Sequence, residues 1–371
     1  MKVLIVTPQI EPSSGGIQRY SFALSSALVN LLGAKNIEVH SLLDVSAIEL
    51  ENPTKMFVAS GDRSPFILRL VARCFAFQPT FIWFTHANLS PLGYYLKTCF
   101  GIPYIVSAHG VEVWSAVKPQ VGKALRSAKF VCAVSTFTAG VLLRKGKIKT
   151  SQLILLPNTV DEKHFTSSKS LFKQMYSPKN RSKDKPFTML TINRFERQEA
   201  YKGYRVVLQA FPEIVASIPH VQWIIGGKGN DLEGFRQAVL NSGLSDHIQL
   251  PGFIPESDLP RLYGQADLFV MPSALEGFGI VYLESMCCGT PCLAGNQDGA
   301  RDPLRNGKVG FCVDPYSPRK IAEAVISYSK GESHISPLSS FQLRQQCIFH
   351  YGSTIFHRRL KRILTRFFDA P

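Results

Sequence analysis

Glu276-Gly277-Phe278-Gly279-Ile280-Val281-Tyr282-Leu283-Glu284, running on through Ser285-Met286-Cys287-Cys288-Gly289-Thr290-Pro291, is the most informative stretch of this 371-residue chain. Two carboxylates frame a Gly-Phe-Gly turn, and the apolar pattern after Gly279 predicts a helix over Ile280–Cys287. Eight residues of helix span up to about 12 Å along the axis. A carboxylate pair working on one glycosidic bond stands about 5–9.5 Å apart. Glu276 and Glu284 therefore read as grips on different parts of one elongated ligand. Glycines 277 and 279 let backbone approach closely, and a helix start offers free N–H groups to an anion. A sugar nucleotide has the matching chemistry, with hydroxyls at one carboxylate, diphosphate at the amides and ribose at the other. The plain alternative is a structural glycine turn with two surface glutamates.

Outward from this segment, strand-like and helix-like stretches alternate in two blocks. The first has strands at Val3–Val6, Phe81–Phe84, Tyr104–Val106, Val131–Val134 and Leu153–Leu156, with a helix opened by Gly15-Gly16 and running to about Leu32. The second has strands at Thr188–Ile192, Trp223–Ile225, Ile248–Leu250, Leu268–Met271 and Pro291–Ala294. Its helices are expected at Tyr204–Ala216, Asp231–Leu240, Asp258–Gln265, Ile280–Cys287 and Arg319–Tyr328. Such alternation predicts an α/β protein of two doubly wound, Rossmann-like domains facing a central cleft. Ligands in these sheets bind at the carboxyl ends of strands. The expected layout is an N-terminal domain over 1–165, a polar linker over 166–186 and a C-terminal domain over 187–350. A basic amphipathic helix over 351–371 follows. There Phe356, Leu360, Ile363, Leu364 and Phe367 recur at helical spacing, and Arg358, Arg359, Lys361, Arg362 and Arg366 take the other face. That helix either covers a domain surface or touches an anionic membrane.

Composition bounds the function. Lys and Arg number 42 against 27 Asp and Glu, a net charge of +15. Residues 1–150 alone hold 16 basic and 7 acidic side chains. The balance favours anionic partners: a phosphorylated substrate, a phospholipid surface or nucleic acid. The eight cysteines form no Cys-x-x-Cys pair and read as buried thiols of a reducing compartment, not as a disulfide frame or zinc site. No apolar run reaches membrane-span length, and the chain is expected to be cytoplasmic.

Four further elements join the carboxylates. Arg194 and Lys202-Gly203 follow a predicted strand, where a bidentate Arg and a point-charge Lys suit a diphosphate. Gly15-Gly16 follows the first strand and reads as a phosphate-touching loop or a tight turn. His109 ends the Tyr104–Val106 segment, with Glu112 as a possible partner; a lone His is also commonly structural. Gly227-Lys228-Gly229 lacks the third glycine of a dinucleotide fingerprint, because Leu232 stands in its place. No Asp-x-Asp occurs to hold a metal on a diphosphate.

Together these motifs resemble family 4 glycosyltransferases of the GT-B fold ("glycosyl transferases group 1"), over nearly the whole chain. Gly15-Gly16, His109-Gly110, Leu156-Pro157-Asn158-Thr159-Val160-Asp161, Arg194 with Lys202-Gly203, and Glu276 through Pro291 carry the likeness. Thr159 stands where the family usually has Gly. The resemblance implies a retaining, metal-independent hexosyl transfer from a UDP- or GDP-sugar to a saccharide or lipid-linked acceptor, as in making surface polysaccharide or glycolipid. It requires no cofactor. Arg194 and Lys202 would stabilise the leaving diphosphate, and Glu276 would hold the sugar hydroxyls. Gly277 and the amides of Phe278 and Gly279 would lie near sugar and phosphate, with Glu284 on the ribose. His109 would stand beside the transferred sugar, and Gly15 and Gly16 would face the diphosphate. Asp298-Gly299 departs from the Gly-Gly-Ile-Pro-Glu that usually follows. Expected partners are the donor, the acceptor and the inner face of an anionic membrane, with no nucleic acid. The competing readings are another GT-B enzyme, such as a sugar-nucleotide epimerase, and a basic membrane- or nucleic-acid-binding protein.

Overall fold

The computed structural model describes residues 1–50, 54–167, 185–332 and 338–369. The chain forms two compact units, Met1–Thr159 with Thr354–Pro371, and Val160–Ser353. The polar stretch expected as a linker falls mostly outside the described residues.

The first unit is built on seven strands: β1 (Val3–Thr7), β2 (Ile37–Ser41), β3 (Lys55–Val58), β4 (Phe81–Phe84), β5 (Tyr104–Ala108), β6 (Phe130–Ala133) and β7 (Leu153–Leu155). All neighbours pair in parallel, in the order β3-β2-β1-β4-β5-β6-β7. Its helices are α1 (Gly16–Leu32), α2 (Arg63–Phe77), α3 (Ser90–Phe100), α4 (Val111–Trp114), α5 (Pro119–Ser127) and α6 (Thr136–Arg144). Short, continuous apolar strands such as Val3–Thr7 and Phe81–Phe84 are buried throughout, as parallel sheets covered on both faces require. One core joins Leu4, Val6, Ile82 and Phe84 to the inward residues of α2, α3, α5 and α6, so those helices share one face of the sheet.

The opposite sheet face meets α1 and the C-terminal helix. Tyr20 of α1 donates to or accepts from Ser107 Oγ at 2.8 Å, and Trp83 Nε1 donates to the same hydroxyl at 2.9 Å. In the Ser353–Asp369 helix, Phe356, Leu360, Ile363, Leu364 and Phe367 are each at most 7% exposed. Phe367 lies 4.5 Å from Phe81 and 6.2 Å from Phe130, ring to ring, and Phe356 lies 6.4 Å from Tyr20. The apolar stripe of this helix is core, which leaves only its basic face outward.

β2 and β3 were not legible as strands. Glu38 and His40 interrupt the apolar run of β2, yet both are buried. Arg73 of α2 grips Glu38 with two N–H donors, and His40 stacks on Phe57 of β3 at 4.8 Å. Burial works against the Glu38 charge, but His40, whose Nε2 lies 3.8 Å from the carboxylate, and the two hydrogen bonds from Arg73 outweigh it and bring the carboxyl down to about 2.

The second unit holds β8 (Phe187–Ile192), β9 (Val221–Gly226), β10 (Ile248–Gly252), β11 (Leu268–Met271), β12 (Cys292–Gly295) and β13 (Phe311–Val313), all parallel, in the order β10-β9-β8-β11-β12-β13. Its helices are α7 (Tyr204–Ser217), α8 (Leu232–Asn241), α9 (Leu259–Gln265), α10 (Ile280–Cys287), α11 (Pro318–Ser329) and α12 (Ser340–Tyr351). We number the C-terminal helix α13. The order of strands reverses between β8 and β11, and in the first unit between β1 and β4. Crevices at the carboxyl ends of such strand pairs are where open α/β sheets hold ligands. Among the described residues, no helix is long and apolar enough to cross a membrane. All eight cysteines are free; Cys99 is exposed, contrary to the expectation of burial, because it lies on the outer side of α3.

Candidate active site

In the second unit, the two central strands deliver the candidate residues. β8 ends at Ile192 and leads into Asn193-Arg194; β11 ends at Met271 and leads, five residues on, to Glu276. Thr191 Oγ1 donates to Val270 O at 2.5 Å and accepts from Trp223 Nε1 at 2.9 Å, which ties β8, β9 and β11 together just below their carboxyl ends. The 3-10 turn Arg197–Lys202 then folds back on the β11 loop, where Ala274 N donates to Tyr201 O at 2.8 Å. Lys202 Nζ reaches Glu276 Oε2 at 2.5 Å, with both side chains 15% exposed. Two motifs 74 positions apart thus form one ion pair at the switch point.

The electrostatics follow from that pairing. Burial disfavours the Lys202 ammonium, but the Glu276 carboxylate, with Tyr201 and Glu199 adding, more than offsets it, and Lys202 titrates above an ordinary lysine. Arg194 is held differently. Its guanidinium makes two hydrogen bonds to Glu199, one through Nε at 3.2 Å, and its side chain remains 56% exposed. The structure therefore pairs Lys202 with Glu276 and Arg194 with Glu199. Glu199 had not been singled out, since a glutamate between two cations in a polar loop carries no distinguishing sequence signal.

The Glu276 loop has its own scaffold, built by the segment that departed from the family pattern. Asp298 is 2% exposed; it accepts the Glu276 N–H on one oxygen and the Ala300 N–H at 2.9 Å on the other. Gly299 N donates to Glu276 O at 2.9 Å. A Cβ on Gly299 would meet the Gly277 carbonyl oxygen at 2.0 Å, so only glycine permits this approach. Beyond the loop, Gly279 caps α10 with φ +87. Phe278 turns inward and its ring lies 5.5 Å from that of Tyr351, leaving its backbone, not its side chain, for a ligand. Glu284 sits on α10, 2% exposed, and accepts from Tyr263 Oη at 2.9 Å. Gly227, rejected as part of a dinucleotide fingerprint, instead backs the Arg194 loop: a Cβ there would lie 1.8 Å from Asn193 O.

Burial of Asp298 raises its carboxyl from 3.8 to about 7, against the two amides that favour its charge. Between those values the folded chain keeps a proton that the unfolded chain has released, so this group's contribution to stability falls as pH rises through the window. Asp298→Asn removes that titration. Melting curves from about pH 4 to 8 should show the variant's stability falling less with pH than that of the wild type, by on the order of 1 kcal/mol per unit. Parallel curves would contradict this assignment.

In the first unit, Gly15 has φ +150 and forms the N-cap of α1, while Gly16 is exposed as its first residue. His109 follows β5 and is 7% exposed, edge-on to Tyr20 at 4.8 Å. Burial lowers its pKa despite the Glu112 charge and the Thr85 carbonyl, so the ring is neutral at pH 7. Nε2 lies 2.7 Å from Thr85 O, which makes Nε2 the protonated nitrogen and Nδ1 the acceptor. Glu112 is not a partner of the ring. Its two oxygens take the backbone N–H groups of His109 at 2.6 Å and Gly110 at 2.9 Å, shaping the loop instead. Sequence reasoning missed His86, which stacks 6.0 Å from His109 at the end of β4 and titrates at about 4, chiefly through burial.

The family model "Glycosyltransferase Family 4" matches residues 14–164 and "Glycosyl transferases group 1" matches residues 172–347. The chain is 27% identical over 348 residues to the GDP-mannose-dependent alpha-(1-6)-phosphatidylinositol monomannoside mannosyltransferase of Mycolicibacterium smegmatis, covering 87% of this chain and 88% of that one. A D-inositol 3-phosphate glycosyltransferase of Thermobispora bispora is 31% identical over 169 residues, covering 43% of this chain and 39% of its own. Among solved structures, Anabaena HepE in complex with UDP superposes with a TM-score of 0.77 at 17% identity, over 98% of this chain and 100% of that one. Sucrose-phosphate synthase from Thermosynechococcus elongatus superposes with a TM-score of 0.79 at 18% identity, over the whole of both. With both family models matched in tandem and both sheets in place, the chain belongs to the family 4 glycosyltransferases and has the GT-B fold.

Proposed function

We propose that this chain transfers a hexosyl unit from a UDP- or GDP-linked donor to a saccharide or lipid-linked acceptor, with retention of configuration and without a metal. The observation that carries the reading is the Lys202–Glu276 pair at the carboxyl ends of β8 and β11. In this reading Lys202 leaves Glu276 for the donor's diphosphate, while the freed carboxylate accepts hydroxyls of the sugar. A partly desolvated ammonium is well suited to a leaving diphosphate, because charge developing there is stabilised without reorganisation of water. Arg194 adds a second cation from the same loop, and backbone amides at the start of α10 add a third contribution. Glu284, fixed by Tyr263, takes the ribose hydroxyls. In the first unit His109, neutral, offers an acceptor nitrogen to a hydroxyl of the transferred sugar, and Gly16 leaves its helix start open to phosphate. With no residue assigned as a covalent nucleophile, the leaving phosphate itself accepts the acceptor's proton on the face from which it departs.

Several relatives are named as GDP-mannose-dependent enzymes acting on phosphatidylinositol mannosides, which supports a lipid-linked acceptor and a peripheral place at the inner membrane face. A thermal-shift screen of UDP- and GDP-sugars identifies the donor, since stabilisation follows the logarithm of saturation. With that donor, transfer should persist undiminished in EDTA and give a product of the donor's anomeric configuration. A requirement for added Mg²⁺ or Mn²⁺, or an inverted product, would overturn the proposal.

A further inference from the structure

The proposed reaction gives His109 a task and leaves His86 without one, yet the two rings stand together. β4 ends at Phe84 and leads into Thr85-His86; β5 ends at Ala108 and leads into His109. Phe84 and Val106 are partners in the parallel ladder, so both histidines leave the sheet at its carboxyl edge, beside the β1–β4 switch point. Their ring centres lie 6.0 Å apart, with planes 26° from parallel. Thr85 anchors the pair. Its N–H donates to Val6 O at 2.9 Å, its hydroxyl accepts from Ser21 Oγ at 2.9 Å, and its carbonyl takes the His109 Nε2–H at 2.7 Å.

Hydrogen bonds assign both tautomers. His86 Nδ1 accepts the Asn88 N–H at 3.1 Å. Burial holds this ring well below an ordinary histidine, at about 4, so at pH 7 it is neutral and carries its proton on Nε2. His109, also neutral, carries its proton on Nε2, toward Thr85 O, and leaves Nδ1 bare. Among the described residues neither His86 Nε2 nor His109 Nδ1 has a partner, and neither is sealed from solvent. By contrast, His40 Nε2 is shut in the core beside Glu38. The pair therefore presents one donor and one acceptor, both uncharged. That is the complement of a hydroxyl, which gives one proton and takes another. Two nitrogens sharing a hydroxyl at usual bond lengths stand about 4.5–5.5 Å apart, a separation that rings spaced as these are can span. A carboxylate has no proton for His109 Nδ1 at pH 7, and a methyl group has nothing for either ring.

We propose that His86 is a specificity-determining residue, whose Nε2–H donates to the same hydroxyl of the transferred hexose that donates to His109 Nδ1. The proposal deepens the transferase reading and rests on it. The donor sugar then carries a hydroxyl at the position read by the pair. A deoxy or carboxylate group there is rejected, because it leaves the pair unmatched once water is displaced. The plain alternative for His86 is its cap on the turn Ala87–Leu89. His86→Asn separates the two roles: its Oδ1 stands where Nδ1 stood and keeps the cap, but nothing stands at the place of Nε2. The full chain is assayed by release of nucleoside diphosphate from its donor, and from analogues each lacking one sugar hydroxyl. The melting curve of His86→Asn should be that of the wild type, while kcat/KM for the intact donor falls by about tenfold. One analogue should erase that penalty, bringing wild type and His86→Asn within about twofold of one another. His109→Ala should lose discrimination against the same analogue. His86→Gln, whose amide nitrogen reaches the place of Nε2, should keep the discrimination that His86→Asn loses. Wild-type kcat/KM in His86→Asn, a penalty equal for every analogue, equal loss in His86→Gln, or different analogues answering to the two histidines would overturn the proposal. A chain that releases no nucleotide from any UDP- or GDP-sugar fails the transferase reading itself; a working enzyme indifferent to His86 fails this proposal alone.

Discussion

Lys202→Ala and Glu276→Ala should each lower turnover by about a hundredfold to a thousandfold, and the double variant should be little worse than either single one. The first half of this expectation follows from what each residue faces. Lys202 and Glu276 are mostly buried and hold one another at 2.5 Å. Removing one partner leaves the other's charge in a poorly solvated place, so the survivor is mispositioned as well as alone. The second half follows because both residues would act on one bound donor; groups that work as a unit are strongly non-additive. Glu276→Gln keeps the shape and one acceptor oxygen and should be the mildest of the set. Single-turnover transfer by the purified variants, beside melting curves that report the fold, decides the matter. Wild-type rates in either alanine variant would remove the pair from the mechanism.

Deleting the residues after Ser353 should prevent the first unit from folding cooperatively. The five apolar side chains of α13 are each at most 7% exposed, and their partners include Phe81 and Phe130 of the sheet itself. At about 1.5–3 kcal/mol for each buried side chain, the stripe is worth on the order of 10 kcal/mol, comparable with the whole stability of a domain. Leu360→Ala alone should cost about 2–5 kcal/mol. Calorimetry should show the truncation removing one unfolding transition while that of the second unit survives. A truncated chain with both transitions intact would show that the helix is an accessory. On the sequence alone this deletion tests a membrane tail; the burial of its stripe makes it a test of the core.

The sequence was most legible where one local pattern sufficed. The strand Phe81–Phe84 and the helix Ile280–Cys287 fall at their expected bounds because an apolar run and a glycine start each determine them without distant help. β13 (Phe311–Val313) is three residues at a sheet edge, too short for a period to show. β2 was obscured by Glu38, which is buried against Arg73 thirty-five residues later, and by His40, which stacks on Phe57 of β3. The candidate site divides in the same way. Glu276, Lys202 and His109 could be found because residue type and strand-end position coincide. Their contacts were only partly legible: the Glu199 clamp on Arg194 and the Asp298 hold on the Glu276 amide carried no sequence signal of contact, and Glu112, although singled out beside His109, caps the backbone of that loop and not the ring. Asp298-Gly299 did leave a trace, as a departure from the family pattern, but a departure says that something differs and not what it holds.

The placement of α13 has a consequence for biosynthesis. A ribosome makes residues 1–159 first, yet that unit takes its closing helix from residues 354–369, which emerge only after all of the second unit. The second unit is contiguous in sequence and can fold as it is made. The first must wait, with the side of its sheet that holds Phe81 and Phe130 uncovered for the time needed to translate about two hundred codons, some 10–40 s at usual elongation rates. The order of folding is then the reverse of the order of synthesis, and the earlier unit is the one that needs a chaperone's protection.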